Sequence, residues 1–474
     1  MPLLSEPVKM GVEIILMRNS FMQAASEDYI GQRDNKDLQH IPGDYGTPLF
    51  GQTFPFVTEP FKTLDTNYKK YGPIFRVNMT FQKMVVALGP EYIQQLMLDS
   101  QQVFSARMGY NAPLGDFFAG GLLMRDFADH KVHRRIMQTA FKIDAMRSYV
   151  DLMLPIIKDG VAFWNKQGNS FTLYPKMKTL LLDVGAKVFL GLDLEGEETK
   201  RLNKAFIDMN AGTVALIRKD WPGMKYRKAM DGRRLLEKYF TSIVPQRRGK
   251  AGVDMATYFS NERDTEGNYF SERVVGEHLI FLLLAAHDTT ASALTMAAYY
   301  LARDQAWQQK LREELLELNN SDLEYDDLGV NVPHLDNCFK ETLRLNPPVP
   351  MIMRRTVKEV KLGSYEIAPH TMIQVSPLYT QQMEKWWKDP HCFNPDRFGE
   401  EENKQHPFLW APFGGGAHKC IGLHFADMLF KCTLSEMIKK YNFKFTSKDQ
   451  YPSKMQHFPF AKPADDLPLE LSPL

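Results

Sequence analysis

Read as a succession of apolar and polar positions, the chain is mostly helical in period. From Ser148 to Tyr239 apolar residues recur at intervals of three and four, interrupted at Gly191-Leu192-Asp193 and at Trp221-Pro222-Gly223, which predicts a series of amphipathic helices. A longer helix is expected from about Ser271 to Arg303, roughly 50 Å at about 1.5 Å per residue. Its middle, Leu279 to Ala286, is apolar on every side and too short to span a bilayer, so the helix is expected to pass through a large core. Period-two alternation is rarer. Ile74 to Met79 alternates as a strand does, after a turn-rich entry at Ile41-Pro42-Gly43 and a helical stretch ending near Tyr71-Gly72-Pro73. Met351-Ile352-Met353 reads as a second strand once Pro347-Pro348-Val349-Pro350 has ended the preceding helix. Between Phe104 and Gly121 no period is sustained, and a long aromatic-rich loop is expected. From Gly422 to Lys440 the helical period returns.

Composition narrows the class. Lys+Arg 58 against Asp+Glu 57 leaves a net charge of +1, so nothing favours nucleic acid or another acidic polymer as partner. The four cysteines, Cys338, Cys392, Cys420 and Cys432, lie far apart without Cys-x-x-Cys spacing, which argues against a zinc site or a disulfide framework and fits a reducing compartment. The apolar piece Val12 to Met17 is too short for a transmembrane anchor or a signal peptide; an amphipathic N-terminal helix lying on a membrane is the alternative.

The chemistry concentrates in a few places. In Phe413-Gly414-Gly415-Gly416-Ala417-His418-Lys419-Cys420-Ile421-Gly422 a cysteine sits among glycines that let backbone approach something flat. A thiolate there suits an axial ligand to haem iron, shielded by Phe413 and by backbone N–H donors; alone, a structural cysteine beside a Gly-rich turn is the plainer reading. His130 and Arg134 share a helix face and could offer charge-assisted hydrogen bonds to one carboxylate, or form an ordinary solvated face. Asp288 and Thr289 bring an acid and a hydroxyl into the apolar helix, where both are costly unless paired or used in proton transfer. Glu341 and Arg344 are three apart and can pair.

Together these segments resemble the cytochrome P450 family over nearly the whole chain from Ile41. The cysteine segment fills the pattern Phe-x-x-Gly-x-(His/Arg)-x-Cys-x-Gly, and Ala285-Ala286-His287-Asp288-Thr289-Thr290 is similar to (Ala/Gly)-Gly-x-(Asp/Glu)-Thr-Thr. One position departs. Ala286 replaces a usual glycine, and a methyl there could narrow the oxygen groove or alter the local helix bulge. The resemblance implies a mainly α fold with a small β region, residues 41–474 forming a single haem domain behind an N-terminal extension, 1–40. It implies haem b held by Cys420, with His130, Arg134, Arg354 and His418 on the propionates and Phe413 covering the sulfur. Asp288 and Thr289 would serve protonation. Glu341, Arg344 and Arg397 would form a buried structural network. Tyr110, Phe117, Ala285, Val349, Met351 and Ile352 are candidates for substrate contact, with Phe118, Met353, Phe206, Met209, Val214 and Leu216 as further apolar neighbours.

The implied activity is insertion of one atom of O2 into a C–H bond of a lipophilic substrate, such as a sterol, terpenoid, retinoid or fatty acid. The electrons would come from NAD(P)H through a separate ferredoxin or flavodoxin and its reductase, docking near Lys419 and Arg135. A cytoplasmic monomer is expected. The alternatives are a peroxide-using peroxygenase or hydroperoxide-rearranging enzyme and, from another class, a non-catalytic haem carrier or sensor.

Overall fold

The computed structural model describes residues 29–474 except 81, 163, 165–169, 193, 216, 319–322, 400–405 and 448–453. The N-terminal segment Val12 to Met17, Asp193 and Leu216 therefore lie outside the described residues.

A small sheet forms one side of the molecule. Strands β1 (Ile74–Met79) and β2 (Gln82–Ala87) make an antiparallel hairpin with Ile74 opposite Ala87. The sheet continues through β5 (Met372–Val375), β4 (Ile352–Thr356) and the short β3 (Phe104–Ser105), in the order β1-β2-β5-β4-β3. Only β2 and β5 run parallel. The strand expected from Met351 thus begins one residue later and presents Arg354 opposite Ile373.

Helices make up the rest. Those that position the site are α1 (Ala106–Phe118), α2 (Phe127–Gln138), α3 (Ile143–Ala162), α4 (Leu173–Leu190), α5 (Glu197–Thr213), α6 (Lys225–Arg247), α7 (Glu272–Arg303), α8 (Pro333–Leu345) and α9 (Leu423–Lys440). Ser271 ends the chain's approach to α7 by accepting a hydrogen bond from the Val274 N–H, an N-cap that fixes where the long helix starts. Helix α7 is long and apolar enough to cross a membrane, yet 72% of its most apolar window is buried against neighbouring protein. It is the central member of the main apolar cluster, flanked by α4, α6 and α9.

One expectation is corrected. The region read as a loop between Phe104 and Gly121 contains the helix α1, because Ser105 caps it from the side chain and the Asp126 carboxylate accepts from the Ala106 and Arg107 N–H groups. Gly109, Pro113 and Gly115 mask the helical period in the sequence. At Ala286 the helix α7 runs on without a bulge, and the methyl packs against the main cluster beside Gly185 and Leu429. It is turned about 100° from the exposed Ala285, as one helical step requires.

Candidate functional site

The cysteine loop is closed by its own backbone. The Cys420 N–H donates to the Phe413 carbonyl at 3.0 Å and the Gly414 N–H to the Ala411 carbonyl at 3.1 Å. Gly414 and Gly416 adopt φ of +65° and +58°, which a side chain would strain. A Cβ on Gly416 would also strike the Met97 carbonyl, so this glycine seats the loop on the end of the distant helix Pro90–Leu98. Phe413 packs on Phe339 and Trp410, with ring centroids 6.1 Å away in each case.

Cys420 combines an open side-chain surface with deep enclosure by protein, the signature of a group facing an interior space. Burial pushes its thiol up, against the Gly422 N–H, the Arg134 guanidinium and the Lys419 ammonium, which favour the thiolate. The centre of α7 behaves in the same way: Ala285 is exposed and Phe281, Leu284, Ala286 and Thr289 are half-buried, while Leu282, Leu283, His287, Asp288 and Thr290 are enclosed by protein. Thr289 Oγ1 donates to the Ala285 carbonyl at 2.7 Å, so both groups occupy the open face.

Four basic side chains gather from three parts of the chain. His130 and Arg134 come from α2, Arg354 from β4 and His418 from the cysteine loop. The His130 and His418 rings lie 3.9 Å apart between centroids. Burial, then Arg134 and Arg354, holds the His130 imidazole down to about 4. Burial followed by the charges of Arg354, His130 and Arg134 keeps His418 well below the ordinary histidine value. Arg354 is buried; its guanidinium donates to the Met353 carbonyl at 2.8 Å and contacts Met97 Sδ at 3.9 Å. Among the described residues no carboxylate stands within ion-pair distance of Arg134 or Arg354. Asp126 and Asp99 act on Arg354 only from a distance, and guanidinium groups without a direct carboxylate partner are costly to bury; a ligand carrying two carboxylates beside a thiolate-bound metal would satisfy them. The residues present therefore fit haem.

Asp288 faces elsewhere. Its carboxylate lies 2.7 Å from the Lys178 ammonium of α4, accepts from Asn210 Nδ2 of α5 at 3.0 Å, and has His287 Nδ1 at 3.3 Å. Burial raises its pKa, but His287 and Lys178 outweigh that and leave it below the usual carboxylate range. Sequence reading missed Lys178 and Asn210, which are 110 and 78 residues away and carry no motif; only the fold brings them in.

Beneath the loop the predicted ion network is assembled. Arg344 grips Glu341 with two bonds of 2.7 and 2.9 Å, and Arg397 Nε donates to Glu341 Oε1 at 3.0 Å, all three residues being buried. The link to the cysteine loop runs through Gln381, which sequence reading also missed. Arg344 donates to its carbonyl, and its side-chain oxygen accepts from the Ala411 N–H at 2.9 Å. Trp410 Nε1 adds a second tie, to the Lys340 carbonyl.

The substrate candidates divide. Ala285 lies on the open face, whereas Val349 and Met351 are half-buried. Tyr110 is used at the sheet: its hydroxyl accepts from the Met353 N–H at 3.3 Å and stands beside Arg354. Phe117, Phe118, Phe206 and Met209 are buried in the main cluster, Ile352 belongs to the cluster under the sheet, Met353 packs against a third cluster, and Val214 is exposed at the surface.

The family profile described as "Cytochrome P450" matches residues 41–469. The chain is 33% identical over 441 residues to "Putative cytochrome P450 136" of Mycobacterium tuberculosis, covering 92% of this chain and 89% of that protein. It is 26% identical over 409 residues to lanosterol 14-alpha demethylase of Bos taurus (84% and 80% covered), and 26% identical over 450 residues to cytochrome P450 26B1 of Xenopus tropicalis (92% and 87%). Among solved structures, retinoic acid bound cyanobacterial CYP120A1 superposes with a TM-score of 0.82 at 24% identity, over 92% of this chain and 99% of that one.

Proposed function

The chain belongs to the cytochrome P450 family of haem-thiolate monooxygenases, and from that premise we propose that it hydroxylates a lipophilic substrate of sterol, terpenoid, retinoid or fatty-acid type with electrons from a separate redox protein. Cys420 would hold the iron of haem b, and Arg134, Arg354, His130 and His418 its propionates. The observation that carries this reading is the gathering of those four basic groups, with no carboxylate at ion-pair distance from Arg134 or Arg354 among the described residues, and with Arg134 acting on the open Cys420 sulfur. When bound, the haem supplies dioxygen activation and transfer of one oxygen atom to a C–H bond.

The chain's own residues would do the rest. Thr289 would hold a proton at Oγ1 on the open face of α7, relayed through the ionised Asp288 carboxylate from the one-third exposed Lys178 ammonium. The apolar surface near Ala285, Val349 and Met351 would orient the substrate and exclude water. The lipid class is supported by the names of the relatives, a lanosterol demethylase among them, and by the retinoic acid of the structural neighbour. Lys131, Arg135, Lys142 and Lys419 are exposed on the side of the cysteine loop and α2, a charge pattern suited to an acidic ferredoxin or flavodoxin.

The test has two stages. A CO difference spectrum of the reduced, haem-loaded protein should show thiolate ligation, and a Cys420→Ala variant should lack it. Turnover with NADPH, a surrogate ferredoxin and its reductase should then exceed turnover with H2O2 alone, against lipids selected by their low-spin to high-spin shift. Product formed from peroxide only would make the protein a peroxygenase. A thiolate spectrum with no turnover across the panel would favour a carrier or sensor.

A further inference from the structure

The two carboxylates whose charges reach Arg354, those of Asp126 and Asp99, are both engaged elsewhere. Asp99 accepts from the Val103 and Phe104 N–H groups at 2.7 and 3.1 Å. Asp126 is more heavily occupied. Its Oδ1 accepts from the Ala106 N–H at 2.8 Å and the Arg107 N–H at 3.2 Å, and its Oδ2 from the Ser105 hydroxyl and, at 2.8 Å, from the Tyr29 hydroxyl. The Ser105 oxygen itself accepts from the Met108 N–H, which leaves its one hydrogen for Asp126. Four donors fill the roughly four lone-pair sites of a carboxylate. Three of them come from the junction of β3 with α1, and the fourth, Tyr29, from 97 positions away.

Tyr29 begins a strap, residues 29–41, that packs on the sheet. Arg355 binds it: this fully buried guanidinium donates to the Tyr29 carbonyl at 3.2 Å and to the Gln32 carbonyl at 2.6 Å, and its Nε lies 2.9 Å from Asp34 Oδ1. Further along, the Asn35 N–H donates to the His370 carbonyl at 2.8 Å, and Leu38 and Ile41 are buried in the cluster under the sheet. Arg354 and Arg355 are neighbours on β4, where successive side chains take opposite faces, so the strand gives one guanidinium to the strap and the other to the site. The strap also meets α2. The Asp126 carbonyl accepts from the His130 N–H at 3.0 Å, and the Tyr29 ring packs edge-on against Phe127 with centroids 6.1 Å apart. Burial, then the Asp126 charge, raises the buried Tyr29 hydroxyl above the ordinary phenol value and keeps it a donor.

We propose that Tyr29, seated by Arg355, is a positioning residue that keeps the Asp126 carboxylate engaged and so leaves the Arg354 guanidinium unpaired, available to a carboxylate of the bound group. Loss of the hydroxyl would leave a buried acceptor without its donor, and the charge of Arg354 already acts on that acceptor. An Asp126–Arg354 pair formed in this way would withdraw the cation from the site. The inference rests on the reading of that site as a haem pocket.

The test follows haem transfer from the haem-loaded full chain to excess apomyoglobin. Tyr29→Phe should accelerate transfer about fivefold, the scale of one hydrogen bond, and should move the reduction midpoint to a more negative value because a cation leaves the porphyrin. Asp126→Asn keeps an oxygen for the α1 N–H groups but removes the charge that competes for Arg354. Adding Tyr29→Phe to Asp126→Asn should therefore change transfer by less than about twofold, since the two substitutions act on one interaction. Arg355→Gln frees the strap: hydrogen exchange should quicken at residues 29–41, and transfer should rise as in Tyr29→Phe. An acceleration by Tyr29→Phe that persists undiminished beside Asp126→Asn is what lost packing alone would give, and it would overturn the proposal. So would unchanged transfer and midpoint in Tyr29→Phe, or unchanged exchange at 29–41 in Arg355→Gln. A missing thiolate CO spectrum would instead sink the haem reading, and hydrogen exchange at residues 103–108 in Tyr29→Phe would still decide whether Tyr29 holds Asp126 against the start of α1.

Discussion

Thr289 and Asp288 are adjacent in the chain and about 100° apart around α7, so one lies on the open face while the other is gripped by Lys178 and Asn210. The separation assigns them different tests. Thr289→Ala removes the hydroxyl where a proton is held; NADPH consumption should continue while product per NADPH falls several-fold and H2O2 rises, measured together in one assay. Asp288→Asn keeps the shape and the Asn210 contact but takes away the charge facing Lys178. Turnover should fall by about 100-fold or more, since a positioned proton-transfer group typically contributes about 10²–10⁴-fold, with a larger solvent isotope effect. Equal rates in H2O and D2O for both proteins would remove Asp288 from the proton path.

At the scale of elements, the cysteine loop depends on α8 for its position. Glu341 neutralises two buried guanidinium groups, and Gln381 carries the connection onward to Ala411. Glu341→Gln leaves those cations without a counter-charge, a loss of about 3–5 kcal/mol for a broken buried pair. The expected result is protein recovered with little haem, read from the ratio of Soret to protein absorbance, and a lowered urea midpoint. Full haem content in this variant would show that the loop holds its shape without the network. The pairing of Glu341 with Arg344 was legible from their spacing. The role of Gln381 was not, because a glutamine in a polar stretch has no periodic signal and its three backbone partners are distant in sequence.

Across the whole molecule, the junction of α2 with α7 carries a buried imidazole pair. His133 Nδ1 and His278 Nε2 are 2.8 Å apart, and His133 Nε2 lies 3.3 Å from Asp129. Burial, reinforced by His133 and Arg125, holds His278 well below its ordinary 6.5. The sign follows from the unfolded chain, which takes up a proton near pH 6.5 while the folded His278 stays neutral. This contribution to stability is complete above about pH 6.5 and is lost progressively as the pH falls below it. Thermal unfolding of the haem-loaded protein should therefore show Tm decreasing from pH 7 to pH 5, and a His278→Phe variant should show a shallower decrease. Parallel pH profiles for the two proteins would count against His278 as a source of the acid sensitivity.

Local chemistry in the chain was enough to dictate much of this protein. The apolar period of α7, the Ser271 cap, the glycine-spaced Cys420 loop, the i,i+4 pair His130 and Arg134, and the Glu341–Arg344 pair are all short-range patterns, and each is realised as an element or a contact. Tertiary packing decided the rest. It turned an apparently aperiodic stretch into α1, because Ser105 and Asp126 supply caps that outweigh its glycines and proline. It also aimed Asp288 at α4 and α5 and gathered His130, Arg134, Arg354 and His418 around one space. Contacts of that kind join residues tens to hundreds of positions apart, and their energy comes from burial and charge pairing that exist only once the helices have packed.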